Sequence, residues 1–187
     1  MTLHRLVPRK TAVIVVDIQE RLAAAIPEEQ RADVIRATTI LVEGARLLRA
    51  PVLVTVQYSK GLGPTLGTFD GILDSAGATS FDKMHFSAMD SSRFDEALRA
   101  LRVTDVVVVG LEAHVCVYQT VRDLSGAGVV VHVPIDGVGS RRDDHRRAGL
   151  ALCERAGAVL TTAETVAFDW LRQAGTVEFK VMSKLIR

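Results

Sequence analysis

Cys116 is the first candidate nucleophile because it closes a turn that follows a strongly apolar run. The turn is the segment 110–116, GLEAHVC, and the run before it is Asp105–Gly110. A thiol at a helix N-terminus is expected to have a lowered pKa, since the helix dipole and free N–H groups stabilise the thiolate. The same N–H groups can bind an oxyanion. A buried structural cysteine is the competing interpretation, because free cysteines are among the most buried residues.

Asp17 and Lys83 are the charged residues whose positions could support such a thiol. Asp17 directly follows the apolar residues Val13–Val16, and a carboxylate at the end of a buried strand needs a partner or a purpose. It could instead cap the following turn. Lys83 lies in the segment 79–87, TSFDKMHFS, a candidate for a short sixth strand. Taken alone, it would be a solvated surface charge, as most lysines are.

Composition narrows the class of protein. The 187 residues are 48% hydrophobic and 24% charged, with a formal net charge of +1, which is typical of a globular domain with a sizeable core. We therefore treat residues 1–187 as one domain and expect neither a nucleic-acid partner nor a membrane partner. The N-terminal MTLHRLVPRK lacks the apolar stretch of a secretory signal, so the expected location is cytoplasmic.

Five short apolar runs predict buried strands, because most are β-branched and continuous rather than alternating. They are Ala12–Val16, Val52–Gln57, Asp105–Gly110, Val129–Val133 and Ala158–Thr161. Helical patterns lie between them, with start signals at Ser92, Ser140 and Thr161. Alternating strands and helices predict an α/β fold with right-handed crossovers. We expect a three-layer α-β-α sandwich whose central parallel sheet has five to six strands in the order 3-2-1-4-5-6.

This topology predicts where the functional residues meet. In open parallel sheets, ligands bind beyond the carboxyl ends of the strands, at the point where strand order reverses. The first and fourth strands flank that point, so Asp17 and Cys116 are expected to be neighbours. The Gly-rich stretch Ser59–Ala78 is predicted as a long loop at the rim of the site. Cys153 shares a helical face with Gly149 and is assigned to the core.

The sequence resembles the isochorismatase-like cysteine hydrolases, a family that includes nicotinamidases and other amidohydrolases. The matching segments are 14–19 (IVVDIQ), 81–83 (FDK) with 86–87 (FS), and 109–116 (VGLEAHVC). They hold Asp17, Lys83 and Cys116 in the order of the family's triad. The resemblance runs nearly end to end, and the segment 57–65 (QYSKGLGPT) looks most like the isochorismatase domain-containing subgroup.

The resemblance implies a mechanism. Asp17 would be the general base for Cys116, and Lys83 would favour their charged forms and hold their geometry. The thiolate would attack an amide-like carbonyl and form a thioester, with backbone N–H groups of Glu112 and Cys116 binding the oxyanion. The resemblance also implies a cis peptide bond between Leu111 and Glu112. His114 is a poor alternative base, because it lies only two residues from Cys116 on a tight turn.

The sequence departs from the nicotinamidase pattern at the metal site. Nicotinamidases carry an Asp-x-His signature just after the second strand, whereas this chain has Val56-Gln-Tyr-Ser59. Its five histidines show no ligand spacing. We therefore predict no metal and no other cofactor, and a small-molecule substrate.

Three aromatic residues are candidates to line the substrate pocket, although they could equally be ordinary core or surface aromatics. They are Tyr58, Phe86 and Tyr118.

Two alternative functions stay open. Isochorismatases proper use the Asp and Lys without needing the thiol, so a vinyl-ether hydrolase is the second enzyme hypothesis. A catalytically degenerate binding or scaffold protein is the third, and the intact triad argues against it. Family resemblance also implies a homo-oligomer, either a dimer or a tetramer, to which the apolar C-terminal stretch with Val177 and Val181 could contribute.

Overall fold

The computed structural model describes residues 4–187 and has a parallel β-sheet at its centre. Seven strands form the sheet: β1 (Thr11–Val16), β2 (Val52–Gln57), β3 (Thr79–Lys83), β4 (Asp105–Leu111), β5 (Val130–Pro134), β6 (Val138–Gly139) and β7 (Val159–Thr161). Their order is β3-β2-β1-β4-β5-β7, and the short β6 pairs with β4. The predicted order is confirmed, with β3 as the sixth predicted strand. Only β6 was missed, because two residues carry no detectable pattern.

The central strands are β-branched and wholly buried. All residues of β1 and of β4 are buried, as expected for strands that helices cover on both faces. Alternate side chains point to opposite faces of the sheet, and they enter two separate cores. One core contains Val13 and Val15, and the other contains Ile14 and Val16. The predicted three-layer sandwich is thereby confirmed.

Nine helices connect the strands in the described part of the chain. They are α1 (Glu20–Ala23), α2 (Glu28–Leu48), α3 (Ser59–Leu62), α4 (Asp70–Ser75), α5 (Ser92–Leu101), α6 (Tyr118–Gly126), α7 (Asp143–Arg155), α8 (Ala163–Leu171) and α9 (Val177–Ile186). Helices α2, α8 and α9 cover one face of the sheet, whereas α5, α6 and α7 cover the other. Within residues 4–187, no helix is long and apolar enough to cross a bilayer.

Several local predictions were wrong. The stretch Ser59–Ala78 is not a structureless loop: it holds α3, a 3₁₀ turn over Gly67–Phe69 and α4. Short helices interrupted by glycine show no clear periodicity, and the buried Phe69 ring anchors them. The capping signals were also misplaced. Ser92 is already the first residue of α5, and α7 begins at Asp143 without a side-chain cap.

The switch point lies between β1 and β4, as predicted. These strands pair in parallel, with Val16 opposite Gly110. Asp17 therefore leaves the sheet beside Leu111 and the turn that carries Cys116. On the other side of β1 lies β2, whose last residue, Gln57, pairs with Lys83, the last residue of β3. The polar residues of interest thus share one edge of the sheet.

Candidate active site

Asp17 lies at the carboxyl end of β1 and is completely buried. Its backbone adopts a left-handed conformation with φ of 52°, which is uncommon for a residue other than glycine and is often found at functional sites. Both carboxylate oxygens are occupied. Thr55 donates its hydroxyl to Oδ1 at 2.7 Å, and Lys83 Nζ donates to Oδ2 at 2.7 Å. The side chain is therefore held in one orientation beside the switch point.

Lys83 is the last residue of β3, and its side chain is fully buried. Besides Asp17, its ammonium group donates to Gln57 Oε1 at 2.7 Å. It also lies 3.0 Å from the carbonyl oxygen of Phe86 and 3.2 Å from that of His85. A buried charge is tolerated when it is paired and hydrogen-bonded in this way. Lys83 is consequently not the solvated surface charge that its type alone would suggest.

Three polar residues of this network were missed from the sequence. Thr55 and Gln57 contact Asp17 and Lys83 as described, and Gln19 completes the set. Gln19 Nε2 donates to the Gln57 carbonyl, and its Oε1 accepts from the Gln57 N–H, both at 2.9 Å. A signal for them existed, because polar residues at the end of a buried strand are unusual. Their partners could only be found once β1, β2 and β3 were placed side by side.

Cys116 lies in a π-helical turn, Ala113–Val117, which runs directly into α6. We call this segment the nucleophile turn. Its cysteine is only 5% exposed. The π-helical turn is a feature frequently found at functional sites.

The expectation of a lowered thiol pKa was wrong. Burial, together with the charge of the Asp17 carboxylate, raises the pKa of Cys116 from 9.0 to about 12. Lys83 acts in the opposite direction. The resting thiol is therefore protonated near neutrality, and the Asp17 carboxylate is the charged group with the largest effect on its pKa. Cys153 is 1% exposed, as assigned, and burial alone raises its pKa to about 12.

Glu112 joins β4 to the nucleophile turn, and its backbone differs from the expectation. The described residues contain no cis peptide bond, so the predicted cis bond between Leu111 and Glu112 is absent. Glu112 instead adopts a left-handed conformation, with φ of 56° and ψ of 61°. This conformation turns the chain sharply from the strand into the turn. The reversal is thus achieved with a positive φ and a trans peptide bond.

His114 contacts groups other than the thiol. Its Nδ1 lies 3.2 Å from Ser140 Oγ, and its ring packs at a tilt against that of His145, with 4.4 Å between the ring centroids. Burial lowers the pKa of His114, although the nearby Glu112 carboxylate opposes that change. These contacts agree with a structural role for His114. Ser140, which was predicted to cap a helix, instead lies within hydrogen-bond distance of His114.

The nucleophile turn packs tightly against α7 at Gly149. A Cβ built on Gly149 would lie 2.5 Å from the Ala113 carbonyl carbon and 2.6 Å from the His114 nitrogen. Since real Cβ atoms do not come so close to backbone atoms, only glycine allows this contact. The helix behind the turn therefore supports the position of Cys116.

The three aromatic residues predicted to line a pocket have different positions. Tyr58 is half-exposed and, with Met84, borders an open cavity of about 380 Å³ beside Lys83. Phe86 is also half-exposed, and its carbonyl oxygen accepts from Lys83. The Tyr118 ring lies 5.7 Å from the Arg122 guanidinium carbon. Cys116 does not border the Tyr58 cavity. The pocket role of these residues thus stays a prediction.

The described residues offer no cluster with the composition of a metal site. Within residues 4–187, no group of three or more His, Cys, Asp or Glu side chains is placed to hold a metal ion. The acidic and basic groups with the largest effects on the pKa of Cys116 are Asp17 and Lys83, which pair with each other. The chemistry available at this edge of the sheet is therefore that of a thiol, a carboxylate and an ammonium group.

A comparison with known families identifies the chain. The profile of the isochorismatase domain matches residues 11–165, which include Asp17, Lys83 and Cys116. The chain belongs to the isochorismatase family. The resemblance inferred from the three motifs is thereby confirmed, and so is the hydrolase fold that the family shares.

Relatives are similar over nearly the whole chain. A secreted isochorismatase effector, Isc1, of Phytophthora sojae is 37% identical over 99% of this chain and 88% of its own length. Isochorismatase domain-containing protein 1 of Danio rerio is 36% identical over the full chain, which spans 64% of that protein. The structure described as a MAR1 ribonuclease from Caenorhabditis elegans is 37% identical, with a TM-score of 0.88 over 98% of this chain and 92% of that one.

Proposed function

We propose that this protein is a metal-independent cysteine hydrolase that cleaves a small amide or related C–N bond through a thioester on Cys116. The observation that carries the proposal is the buried Asp17–Lys83 pair, 2.7 Å apart, at the edge of the sheet where the nucleophile turn begins, with the Asp17 charge acting on the buried Cys116 thiol. A nucleophile within reach of an oriented base is the usual arrangement for covalent catalysis. Family membership supports hydrolysis as the reaction class.

In the first half of the reaction, Asp17 accepts the thiol proton while Sγ attacks the carbonyl carbon. The carbonyl π electrons move to oxygen, and the N–H of Cys116, with that of Glu112, stabilises the oxyanion. As the tetrahedral intermediate collapses, the C–N bond breaks and the protonated Asp17 returns its proton to the leaving nitrogen. The products of this half are a thioester on Cys116 and a free amine or ammonia.

In the second half, water attacks the thioester carbon and Asp17 accepts a proton from it. Collapse of this intermediate breaks the C–S bond, releases a carboxylic acid and returns the proton to Sγ. Lys83 keeps Asp17 in position through the 2.7 Å hydrogen bond to Asp17 Oδ2, and the surrounding acceptors hold the Lys83 side chain in place. The raised pKa of the Cys116 thiol means that the resting nucleophile is protonated and needs a base.

The test is a screen of small amides with intact-mass detection of an acyl-enzyme. We expect an adduct on the wild type and on the control Cys153→Ala, which removes the other buried thiol. Cys116→Ala should form none and lose turnover, and EDTA should leave the wild-type rate unchanged. Full turnover by Cys116→Ala would contradict the proposal. Turnover of an isochorismate-like vinyl ether that survives Cys116→Ala but not Asp17→Ala would indicate the vinyl-ether hydrolase instead.

Two other functions are less well supported. The Caenorhabditis elegans relative is described as a ribonuclease, but the net charge of +1 and a 5% exposed thiol do not favour a polyanionic substrate. A binding or scaffold role would be favoured by inactivity across a broad amide panel together with a stable protein partner in pull-downs.

Oligomerisation stays a prediction, which light scattering coupled to size-exclusion chromatography would check.

A further inference from the structure

A buried carboxylate directly before the nucleophile turn is paired with an arginine from another loop. The Glu112 side chain is 7% exposed. Its Oε2 accepts from Arg141 Nε at 3.1 Å, and its Oε1 accepts from the Arg141 backbone N–H at 3.2 Å. Arg141 follows β6, so this pair joins the β6 loop to the end of β4. Because a buried charge without a partner is strongly unfavourable, Glu112 depends on Arg141.

The main chain of Glu112 also shapes the nucleophile turn. Its carbonyl oxygen accepts from Val115 N–H at 2.8 Å, immediately before Cys116. The left-handed conformation of Glu112 is unfavourable by about 1–2 kcal/mol for a residue with a Cβ. Such a conformation persists only where surrounding contacts enforce it. Two hydrogen bonds from Arg141, one from its side chain and one from its backbone N–H, restrain the Glu112 carboxylate.

We infer that the Glu112–Arg141 ion pair holds the nucleophile turn in its reactive geometry, which makes Arg141 a positioning residue for Cys116. The inference rests on the proposed function and adds to it a residue outside the triad. Arg141 acts through Glu112, and its own side chain is 57% exposed. Loss of the pair would free Glu112 to leave the left-handed region. The Cys116 N–H would then lose its orientation toward the oxyanion.

Charge gives this arrangement a measurable signature. The Glu112 carboxylate raises the pKa of the Cys116 thiol, and the Arg141 guanidinium beside it offsets that negative charge. Three other charged or titratable groups lie in the same surroundings: Asp17, Lys83 and His114, whose Nε2 is 3.8 Å from Glu112 Oε2. Removing Arg141 alone should disfavour the thiolate, whereas removing the Glu112 charge should favour it.

The first experiment measures alkylation of Cys116 by iodoacetamide at pH 9, resolved by peptide mass spectrometry and normalised to a free cysteine peptide in the same reaction. We expect Arg141→Ala to slow the reaction about threefold, equivalent to half a pKa unit, and Arg141→Lys to recover part of the rate. Glu112→Gln should accelerate it. The double variant should match Glu112→Gln, because Arg141 acts through that carboxylate. The matched control is Arg147→Ala, which removes an exposed arginine paired with Asp143.

The second experiment measures kinetics on a substrate found by the amide screen. Arg141→Ala should lower kcat about tenfold with KM unchanged, as expected when only the transition state is affected. A raised KM with an unaltered alkylation rate would overturn the inference and assign Arg141 to substrate contact. Equal alkylation in all variants would overturn it too.

The alkylation result is independent of the proposed function, because it needs no substrate. If Cys116→Ala kept full turnover, the proposed hydrolysis through Cys116 would fail, while the alkylation rates would still report on the charge that the Glu112–Arg141 pair places beside the thiol. Arg141→Lys serves where Arg141→Ala does not fold, since it keeps the positive charge but loses the Nε contact. Thermal melting of each variant shows that the rates compare folded proteins.

Discussion

Gly110 lies so close to Val16 that a Cβ built on Gly110 would come within 2.3 Å of the Val16 carbonyl oxygen. Val16 is the residue before Asp17, and Gly110 is followed by Leu111 and Glu112. The contact therefore sets the distance between the two chain segments that carry the candidate base and the nucleophile turn. Both segments leave the sheet with a left-handed residue, Asp17 or Glu112.

Gly110→Ala should separate these segments. We expect the free energy of unfolding to fall by about 1–3 kcal/mol, which is typical of overpacking. We also expect the alkylation rate of Cys116 to fall by a larger fraction than the free energy of unfolding. Chemical denaturation and peptide-resolved alkylation provide the two measurements. Gly126→Ala is the control, because that glycine ends α6 with no atom within 4 Å of an added Cβ. If the two variants had the same stability and the same alkylation rate, the contact with Val16 would not limit the residue at position 110.

Lys83→Met should destabilise the fold more than any surface change. It leaves the buried Asp17 carboxylate without its 2.7 Å partner, and breaking a buried pair from one side typically loses about 3–5 kcal/mol. Urea unfolding measures the effect. Asp17→Asn combined with Lys83→Met should recover part of the stability, because neither charge then remains buried alone. A double variant that is no more stable than Lys83→Met would argue against this electrostatic explanation.

Asp17→Asn should change alkylation and turnover in opposite directions. The Asp17 charge raises the pKa of Cys116 and Lys83 lowers it, so the variant should form thiolate more readily and react faster with iodoacetamide. Turnover should fall by at least about 100-fold, because the general base is lost. Alkylation at fixed pH and steady-state assays test this, with circular dichroism to confirm folding. A parallel loss of both would indicate misfolding or a different base.

Stability should fall at alkaline pH. The folded-state pKa values of Cys116 and Cys153 are about 12, raised from 9.0, so the unfolded chain loses these protons first. Their contribution is intact below pH 9 and is lost as the pH rises toward 12, at up to about 1.4 kcal/mol per pH unit for each thiol. Urea unfolding between pH 8 and 11 measures the slope. Cys153→Ala should have a shallower slope than the wild type, and an identical slope would contradict the raised pKa.

The strand pattern was readable from the sequence because burial on both faces leaves continuous β-branched runs. Val13–Val16 and Val106–Val109 needed no long-range information, and parallel pairing followed from the helices between them. The edge of the sheet where Asp17 and Cys116 would meet followed from topology. Lys83 was placed there by its family motif, because its own residue type suggested a surface position.

The sequence by itself determined the α/β fold, the strand order and the edge of the sheet where the candidate residues lie, because these depend on hydrophobic pattern and chain topology. Only the tertiary structure decided the chemical state of Cys116 and its supports. Desolvation and nearby charge, which raise the thiol pKa, depend on all atoms around it. The pairing of Glu112 with Arg141 and of Lys83 with Gln57 likewise joins residues from separate strands and loops. The sequence around each of these residues does not indicate which partner it contacts.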